Sequence, residues 1–289
     1  MTALLMLTLC VVAMAQDPIR VDVEVVQVHA TVTDPRGRFV TNLKPANFQI
    51  FEDGKSQKVD AFTADDSPLS IGFVFDRADA AAKLLALEFL KAGNLLNEYF
   101  IVEFDTEARV VEDYTRDPRR LAQYESTVVK HPDNAAIDAI YLGLDKLRSG
   151  KNPRRVLLVF TPGGLLKSRH SSSEARTLAR QLDVQVFGIA STPPDVRGVV
   201  KGTESGLDVM NLVGGQYFGA ALGADAVDTT RKIAVALRNQ YSIGYRSTNT
   251  QRDGKYRRFT VKLAIDGNPD LLVHTRDGYY APGPEGGLQ

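Results

Sequence analysis

Three almost uninterrupted apolar runs limit what this 289-residue chain can fold into. A strand whose successive residues are nearly all apolar is buried on both faces, as in a parallel sheet covered by helices. Segments with helical spacing of apolar residues separate the runs, as between Ala80 and Leu96. Strands that alternate with helices predict a doubly wound, mostly parallel α/β sheet. The three runs are Leu69–Phe75, Arg155–Thr161 and Val184–Ile189.

Further elements complete this predicted α/β region. Asp117 followed by Pro118 is a typical helix start, and Ser171 with Glu174 forms a capping box. Two strands are predicted on either side of the Asp105-Thr106 turn, at 99–104 and 108–114. The helices predicted after them run from Asp117 to about Val129, from Ala135 to Leu147, from Ser171 to near Leu182, and from Val227 to Asn239.

Both ends of the chain have the pattern of antiparallel strands. Near the N-terminus Val21, Val23 and Val25 alternate with Asp22 and Glu24, which predicts a strand with the valines on its inner face and the acidic residues on a solvent-exposed face. Asp53-Gly54 is a strong hairpin signal. Short strands follow the α/β region at 241–245, 259–265 and 271–274. Because each end alone is too small to bury a core, we expect the two ends to pair into one β-sandwich.

The predicted organisation has four parts. Residues 1–15 form a signal peptide, 16–67 an N-terminal β unit, 68–240 the α/β domain, and 241–289 the C-terminal strands and tail. The first part is an apolar run that ends in Ala13-Met14-Ala15, the small-x-small pattern of a signal-peptidase site. Cys10 is the single cysteine and would be removed by cleavage after Ala15, so the mature protein would have neither disulfides nor a catalytic thiol. We therefore expect an exported protein of the periplasm, the envelope or the exterior, without a transmembrane segment after cleavage.

Composition and motifs argue against several functions. Lys and Arg total 35 and so do Asp and Glu, and this balance does not favour nucleic acid as a partner. The histidines His29, His131, His170 and His274 are scattered without metal-ligand spacing. The P-loop, nucleophile-elbow and H-E-x-x-H motifs do not occur, which leaves a hydrolase with an unrecognised site as an unsupported alternative. Tyr241, Tyr245, Tyr279 and Tyr280 are interpreted as strand residues that pack a half-buried sheet rather than as a ligand platform.

The motifs of the mature chain, taken in order, resemble the von Willebrand factor A family, in particular the exported bacterial proteins with a VWFA-related domain. The resemblance covers most of the mature chain. It is carried by NLKPANFQIFEDGKSQKV, PLSIGFVFD, VEFDTEARVVEDYT, IDAIYLGLDKL, RRVLLVFTPGG, LRNQYSIGY and DGYYAP. It implies a von Willebrand factor A-like α/β fold flanked by a β unit.

The resemblance also implies a metal-ion-dependent adhesion site that has lost most of its ligands. The family holds a divalent cation through D-x-S-x-S after the first strand, a Thr in a later loop and an Asp after the fourth strand. Here only the first Asp is kept, as Asp76. The two Ser positions fall on Ala78 and Ala80, the Thr position on Asn134 and the last Asp position on Pro162.

Two interpretations follow from this altered loop. In the first, Asp76 is a vestigial carboxylate, no cofactor is bound, and the chain is a non-enzymatic protein-binding or scaffolding protein whose partner is another protein. In the alternative, Asp76, Asp79 and Asn134, with Asp105 as a further candidate, rebuild a Mg²⁺ site that serves adhesion. Mg²⁺ needs near-octahedral oxygen ligands, and alanine and proline side chains offer none, so the first interpretation is our prediction.

Overall fold

A computed structural model gives the fold. It describes residues 25–36, 38–64, 66–77, 79, 81–125, 133–161, 163–190, 204–205, 216–219, 223–265 and 270–284. The predicted signal peptide, residues 1–15, lies outside this range. The helices are α1 (Ala82–Ala92), α2 (Pro118–Gln123), α3 (Ala136–Lys146), α4 (Ser172–Gln181) and α5 (Gly223–Arg238).

Six strands form the central sheet, in the order β13-β11-β9-β5-β6-β7. All neighbouring pairs are parallel except β6 with β7, which is an antiparallel edge pair. Every residue of β5 and β6 is buried, and for β5 the continuous apolar run predicts this burial. The bounds are β5 (Leu69–Asp76), β6 (Glu98–Phe104), β7 (Ala108–Thr115), β9 (Arg154–Phe160), β11 (Val184–Ala190) and β13 (Gln216–Gly219).

Helices cover both faces of this sheet. On one face α1, α2 and α5 bury residues such as Phe89, Leu121 and Leu237 against the strands. On the other face α3 and α4 bury Ile140 and Leu178 in a second cluster. The prediction of a doubly wound, mostly parallel α/β sheet is therefore confirmed.

The two ends of the chain pair into a β-sandwich, as expected. One sheet has the order β16-β1-β14-β4 and the other β17-β15-β2-β3, so each contains strands from both ends. Buried residues of the two sheets, such as Val28, Ile50, Ile243 and Val261, share one core. The strands are β1 (Val25–Thr33), β2 (Phe48–Glu52), β3 (Lys55–Gln57), β4 (Val59–Thr63), β14 (Tyr241–Arg246), β15 (Tyr256–Leu263), β16 (Leu272–His274) and β17 (Gly278–Tyr280).

Two details of the sandwich test local predictions. The hairpin between β2 and β3 turns at Asp53 and Gly54, with φ of 45° and 81°, the pair of positive values that a type I′ turn requires. The predicted face of the first strand is wrong where the structure describes it, since Val25 is 37% exposed and the buried face begins at Val26. Its pairing with β14 and β16 sets which side of the strand faces the core.

Two predicted helices are longer than the observed ones. The helix predicted from Ala80 to Leu96 ends at Ala92, and Leu95 lies in an exposed loop. The helix predicted to reach Val129 ends at Gln123 because Tyr124 leaves the helical conformation and donates a hydrogen bond from its hydroxyl to Glu103 Oε2 at 2.5 Å. A tertiary contact overrides the local helical pattern there.

A small three-stranded sheet was not predicted. It consists of β8 (Asp133–Asn134), β10 (Gly163–Leu166) and β12 (Glu204–Ser205), in the order β12-β10-β8. Strands of two to four residues are too short to show a two-residue periodicity in sequence. This sheet lies beyond the carboxyl ends of the central strands, since β10 follows β9 and β8 precedes α3.

Candidate functional site

Asp76 lies where the resemblance places the first metal ligand, at the carboxyl end of β5. The parallel register pairs Phe75 with Phe160, so the next residues along the two strands, Asp76 and Thr161, are neighbours. Thr161 Oγ1 donates a hydrogen bond to Asp76 Oδ2 at 2.9 Å, and both side chains are buried. The carboxylate of Asp76 is therefore held by the adjacent strand.

Thr161 was not among the residues predicted for this site. The sequence does carry a signal for it, because a single polar residue ends an otherwise apolar strand in RVLLVFT. The same pattern occurs in GFVFD, which ends in Asp76. Two apolar strands that each end in a polar residue indicate a polar contact if the strands are neighbours, and that adjacency comes only from the sheet order.

Asp79 belongs to the turn that leads from β5 into α1. Its backbone N–H donates to Asp76 O at 2.9 Å, and its Oδ1 accepts a hydrogen bond from Ala81 N at 3.0 Å. Its carbonyl oxygen accepts from Ala82 N at 3.3 Å. A carboxylate that accepts from backbone N–H groups before a helix stabilises the helix start. The structure thus places Asp79 in a turn with Asp76, and its Oδ1 accepts a hydrogen bond from the backbone just before α1.

Arg77 and Asp105 form an ion pair across the ends of β5 and β6. Arg77 Nη1 lies 2.5 Å from Asp105 Oδ2, and the side chains are 18% and 13% exposed. Burial raises the pKa of Asp105, but hydrogen bonds from Glu107 N and from the Arg77 guanidinium outweigh it, and the net pKa is lowered. Asp105 is therefore a charged carboxylate that already has a cation beside it.

Asn134 lies in β8, in parallel register with Leu166 of β10. The next residue, Ala135, donates its backbone N–H to Asp105 O at 2.8 Å. The structure therefore brings the backbone near Asn134 to the Asp105 turn, at the same edge of the sheet as Asp76. The other three altered positions, Ala78, Ala80 and Pro162, lie outside the described residues.

A second polar cluster at this edge was missed in the sequence. Asp138, in the first turn of α3, accepts hydrogen bonds from the backbone of Arg169 at 3.0 Å and of His170 at 2.8 Å. It also contacts His170 Nδ1 at 2.8 Å, and the His170 ring stacks on Tyr141 with centroids 3.9 Å apart. Burial raises the pKa of Asp138, but these hydrogen bonds outweigh it and lower the pKa overall. The only sequence signal is the spacing of three between Asp138 and Tyr141, which places both on one helix face.

A glycine in α3 lets this helix lie close to the sheet. A Cβ at Gly143 would come within 2.7 Å of Leu157 Cδ1, a distance that real Cβ atoms do not adopt. The close approach positions the N-terminal turn of α3, and with it Asp138, over the carboxyl ends of the strands.

The described carboxylates at this edge of the sheet already have partners within the chain. Asp76 accepts from Thr161, Asp79 accepts from Ala81, and Asp105 is paired with Arg77. Mg²⁺ requires near-octahedral oxygens that are free to face the ion. Among the residues that the structure describes, no group of three or more His, Cys, Asp and Glu side chains could hold a metal ion.

The described histidines and the tyrosines singled out in the sequence have contacts within the chain. His29 Nδ1 contacts Ser242 Oγ at 3.0 Å, and His274 Nε2 contacts Thr33 Oγ1 at 3.1 Å. Tyr241 and Tyr245 are almost fully buried in β14, whereas Tyr279 and Tyr280 are half-buried in β17. The interpretation of the four tyrosines as strand residues that pack the sheet is confirmed. His131 lies outside the described residues.

Comparison with known proteins finds similarity in solved structures. No protein family matches the sequence and no curated protein is similar to it. The structure of BatB from Bacteroides thetaiotaomicron is similar over 59% of this chain and 98% of its own, with 15% identity and a TM-score of 0.44. An aerotolerance-related membrane protein from Bacteroides fragilis is similar over 59% and 98%, with 14% identity and a TM-score of 0.45. The SpRpn10 VWA domain is similar over 57% and 93%, with 13% identity and a TM-score of 0.41.

The fold itself rests on the topology. The sheet has one antiparallel edge strand, β7, and five parallel strands, with the first strand of the region, β5, near the centre. Helices cover both faces, and the polar residues of the altered loop lie at the carboxyl end of β5, where open α/β sheets have their sites. The α/β unit of this chain has a von Willebrand factor A-like fold.

Proposed function

We propose that this chain is a non-enzymatic, metal-independent protein-binding or scaffolding protein of the bacterial envelope or exterior. The observation that carries the proposal is the ion pair of Arg77 with Asp105. It puts a fixed guanidinium beside a carboxylate at the edge of the sheet where the von Willebrand factor A family holds a divalent cation. An internal cation of this kind keeps the edge rigid without an ion from solution.

The loops around this edge are suited to a protein partner. Glu107 follows the Asp105 turn and is exposed, and Lys167 and Arg169 are exposed before α4. The rim therefore presents charges of both signs around a rigid, hydrogen-bonded centre. Polar rims of this kind are common at protein–protein interfaces and set the orientation of the partner.

The contacts of His170 support a non-enzymatic role. An Asp–His pair bonded through Nδ1 is found in hydrolases that use a serine nucleophile. Among the described residues, however, no hydroxyl or thiol is hydrogen-bonded to His170 Nε2, and the ring stacks on Tyr141. The pair of Asp138 with His170 thus serves to fix the loop before α4.

The proposed location rests on the predicted signal peptide, residues 1–15. No helix among the described residues is long and apolar enough to cross a membrane.

Affinity capture with metal control tests this function. Immobilised mature protein, residues 16–289, is incubated with envelope extract in EDTA and in excess Mg²⁺. We expect the same partner to be retained in both buffers, and to be lost with Glu107→Lys combined with Lys167→Glu. The matched control is Lys55→Glu with Lys58→Glu, which reverses exposed charges on the sandwich. Retention of the partner that requires Mg²⁺ would favour the adhesion alternative. Equal retention by both double variants would exclude the rim as the surface that binds the partner.

A further inference from the structure

A cleft of about 610 Å³ lies between the α/β unit and the sandwich. The two units meet beside it through Arg276 Nε and Asp183 Oδ1, which are 3.1 Å apart, and through the Arg180 guanidinium, which lies 4.5 Å from the centre of the Tyr256 ring. Small-molecule sites are commonly clefts of roughly 300–1,000 Å³, and domain interfaces are among their preferred locations. The cleft lies at the opposite end of the central strands from the altered loop, near the start of β11 rather than its end.

The sandwich wall of the cleft is one face of β1. Val28, Ala30 and Val32 point into the sandwich core, so the alternate residues His29, Thr31 and Thr33 face the other way and line the cleft. Burial, with the nearby positive charges of Arg154 and Arg276, lowers the pKa of His29 to about 4, so its imidazole is neutral near pH 7. This wall is polar without being charged.

The opposite wall belongs to the α/β unit and is mostly apolar. It consists of side chains from the start of β11 and the last turns of α5, including Val186, Ile233 and Ala236. At one end Gln185 and Gln240 bond to each other through their amides, at 3.2 Å and 2.8 Å. The two amides thus satisfy much of each other's hydrogen-bonding capacity.

The charged side chains that line the cleft are already paired within the described chain. Arg276 lies against Asp183, and Lys232 Nζ is 2.7 Å from Asp228 Oδ2. Asp277 Oδ1 accepts a hydrogen bond from the Tyr256 hydroxyl at 2.5 Å, and Arg180 covers the same ring. A charged ligand would have to break one of these pairs, so the cleft favours an uncharged one.

Two polar groups in the cleft lack a partner among the described residues. Thr275 Oγ1 is buried without a hydrogen bond. His29 is bonded through Nδ1 to Ser242, and no described residue hydrogen-bonds its Nε2. Of the two, Thr275 Oγ1 is the buried atom without a partner. Buried polar groups are normally satisfied, and those that are not often mark a site for water or a ligand.

We propose that this cleft binds one small, uncharged and largely apolar molecule, with His29 Nε2 and Thr275 Oγ1 as its hydrogen-bonding partners. The ligand would contact both units at once and would hold the sandwich against the α/β unit. This site is separate from the rim to which we assign the protein partner, so either assignment can fail without the other.

Dye binding to the full chain tests the site. The probe is N-phenyl-1-naphthylamine, an uncharged apolar amine whose fluorescence rises when it leaves water. We expect saturable binding with one dye per chain. Ala236→Phe fills the cleft from α5 and Thr33→Phe fills it from β1, and each should weaken binding on the order of tenfold or more. Leu84→Phe, at a 52% exposed position of α1, is the matched control and should leave binding unchanged.

Circular dichroism melting distinguishes a blocked site from a damaged fold. If Ala236→Phe melts early, Ala236→Leu replaces it as a smaller intrusion into the same space. The absence of saturable binding in the unaltered protein would overturn the proposal. So would binding that both cleft-filling variants leave intact, since the dye would then lie elsewhere. Stabilisation by Ala236→Leu without any dye binding would identify the cleft as a packing void between the units.

Discussion

The guanidinium of Arg77 lies 2.5 Å from the carboxylate of Asp105, at the carboxyl edge of the central sheet. The two residues belong to different loops, one after β5 and one after β6, and the parallel pairing of these strands brings them together. The pair joins the loop that follows Asp76 to the loop that contacts β8.

Breaking this pair should destabilise the protein. Both side chains are mostly buried, and removal of one partner leaves the other charge uncompensated. We expect Arg77→Met or Asp105→Asn to lower the free energy of unfolding by about 2 kcal/mol in urea denaturation. The double variant should lose less than the sum of the two, which a double-mutant cycle measures. Arg38→Met, which removes a surface pair with Asp34, is the control and should have almost no effect. Strict additivity would mean that Arg77 and Asp105 do not interact.

Mg²⁺ should not stabilise the folded protein. A ligand that binds only the folded state raises the melting temperature, and the carboxylates at the altered loop already have partners. Melting curves in EDTA and in millimolar Mg²⁺ should therefore coincide, and Asp76→Ala should respond to metal as the unaltered chain does. A melting temperature that rises with Mg²⁺ in the unaltered chain but not in Asp76→Ala would restore the cation-dependent alternative. Asp79 and Asn134 would then be the next residues to test.

His29 should make stability depend on pH. Its pKa is about 4 in the folded protein and has the ordinary histidine value of 6.5 in the unfolded chain, so between these values the unfolded chain binds more protons. The contribution of His29 to the free energy of unfolding is then fully present above pH 6.5 and is lost as pH falls toward 4. The loss is about 3 kcal/mol at most. His29→Gln should flatten this dependence in urea denaturation. His274→Gln, in the same sandwich, is the control, and an equal flattening in both variants would contradict the assignment to His29.

The sandwich should depend on strands from both ends of the chain. Ile243 of β14 is fully buried, and β14 pairs with β1 on one side and β4 on the other. Ile243→Ala should cost about 3 kcal/mol through the lost burial and the cavity. It should also speed amide hydrogen exchange in β1, which lies at the other end of the sequence. Leu272→Ala, at a 52% exposed position of β16, should change neither quantity clearly. Unchanged exchange in β1 after Ile243→Ala would show that the two ends are stable independently.

The sequence by itself determined the buried strands, the helix start and the tight turn that have a local sequence pattern. Continuous apolar runs predicted β5, β9 and β11, the capping box at Ser171 predicted the start of α4, and Asp53-Gly54 predicted the β2–β3 hairpin. These signals are local, because helices, buried strands and tight turns each impose their own spacing on neighbouring residues. The same logic predicted that two β-rich ends would have to share a core.

Only the tertiary structure decided the partners of the polar side chains. Thr161 holds Asp76 and Arg77 holds Asp105 because the sheet order places the ends of β9, β5 and β6 side by side. The end of α2 also depends on the tertiary structure, since Tyr124, the residue after this helix, donates a hydrogen bond to Glu103. The face of β1 that is buried in the sandwich, and the cleft on its other face, also depend on where distant strands dock. A hydrogen bond between residues dozens of positions apart has no periodicity in sequence, so such contacts appear only once packing has brought the strand ends together.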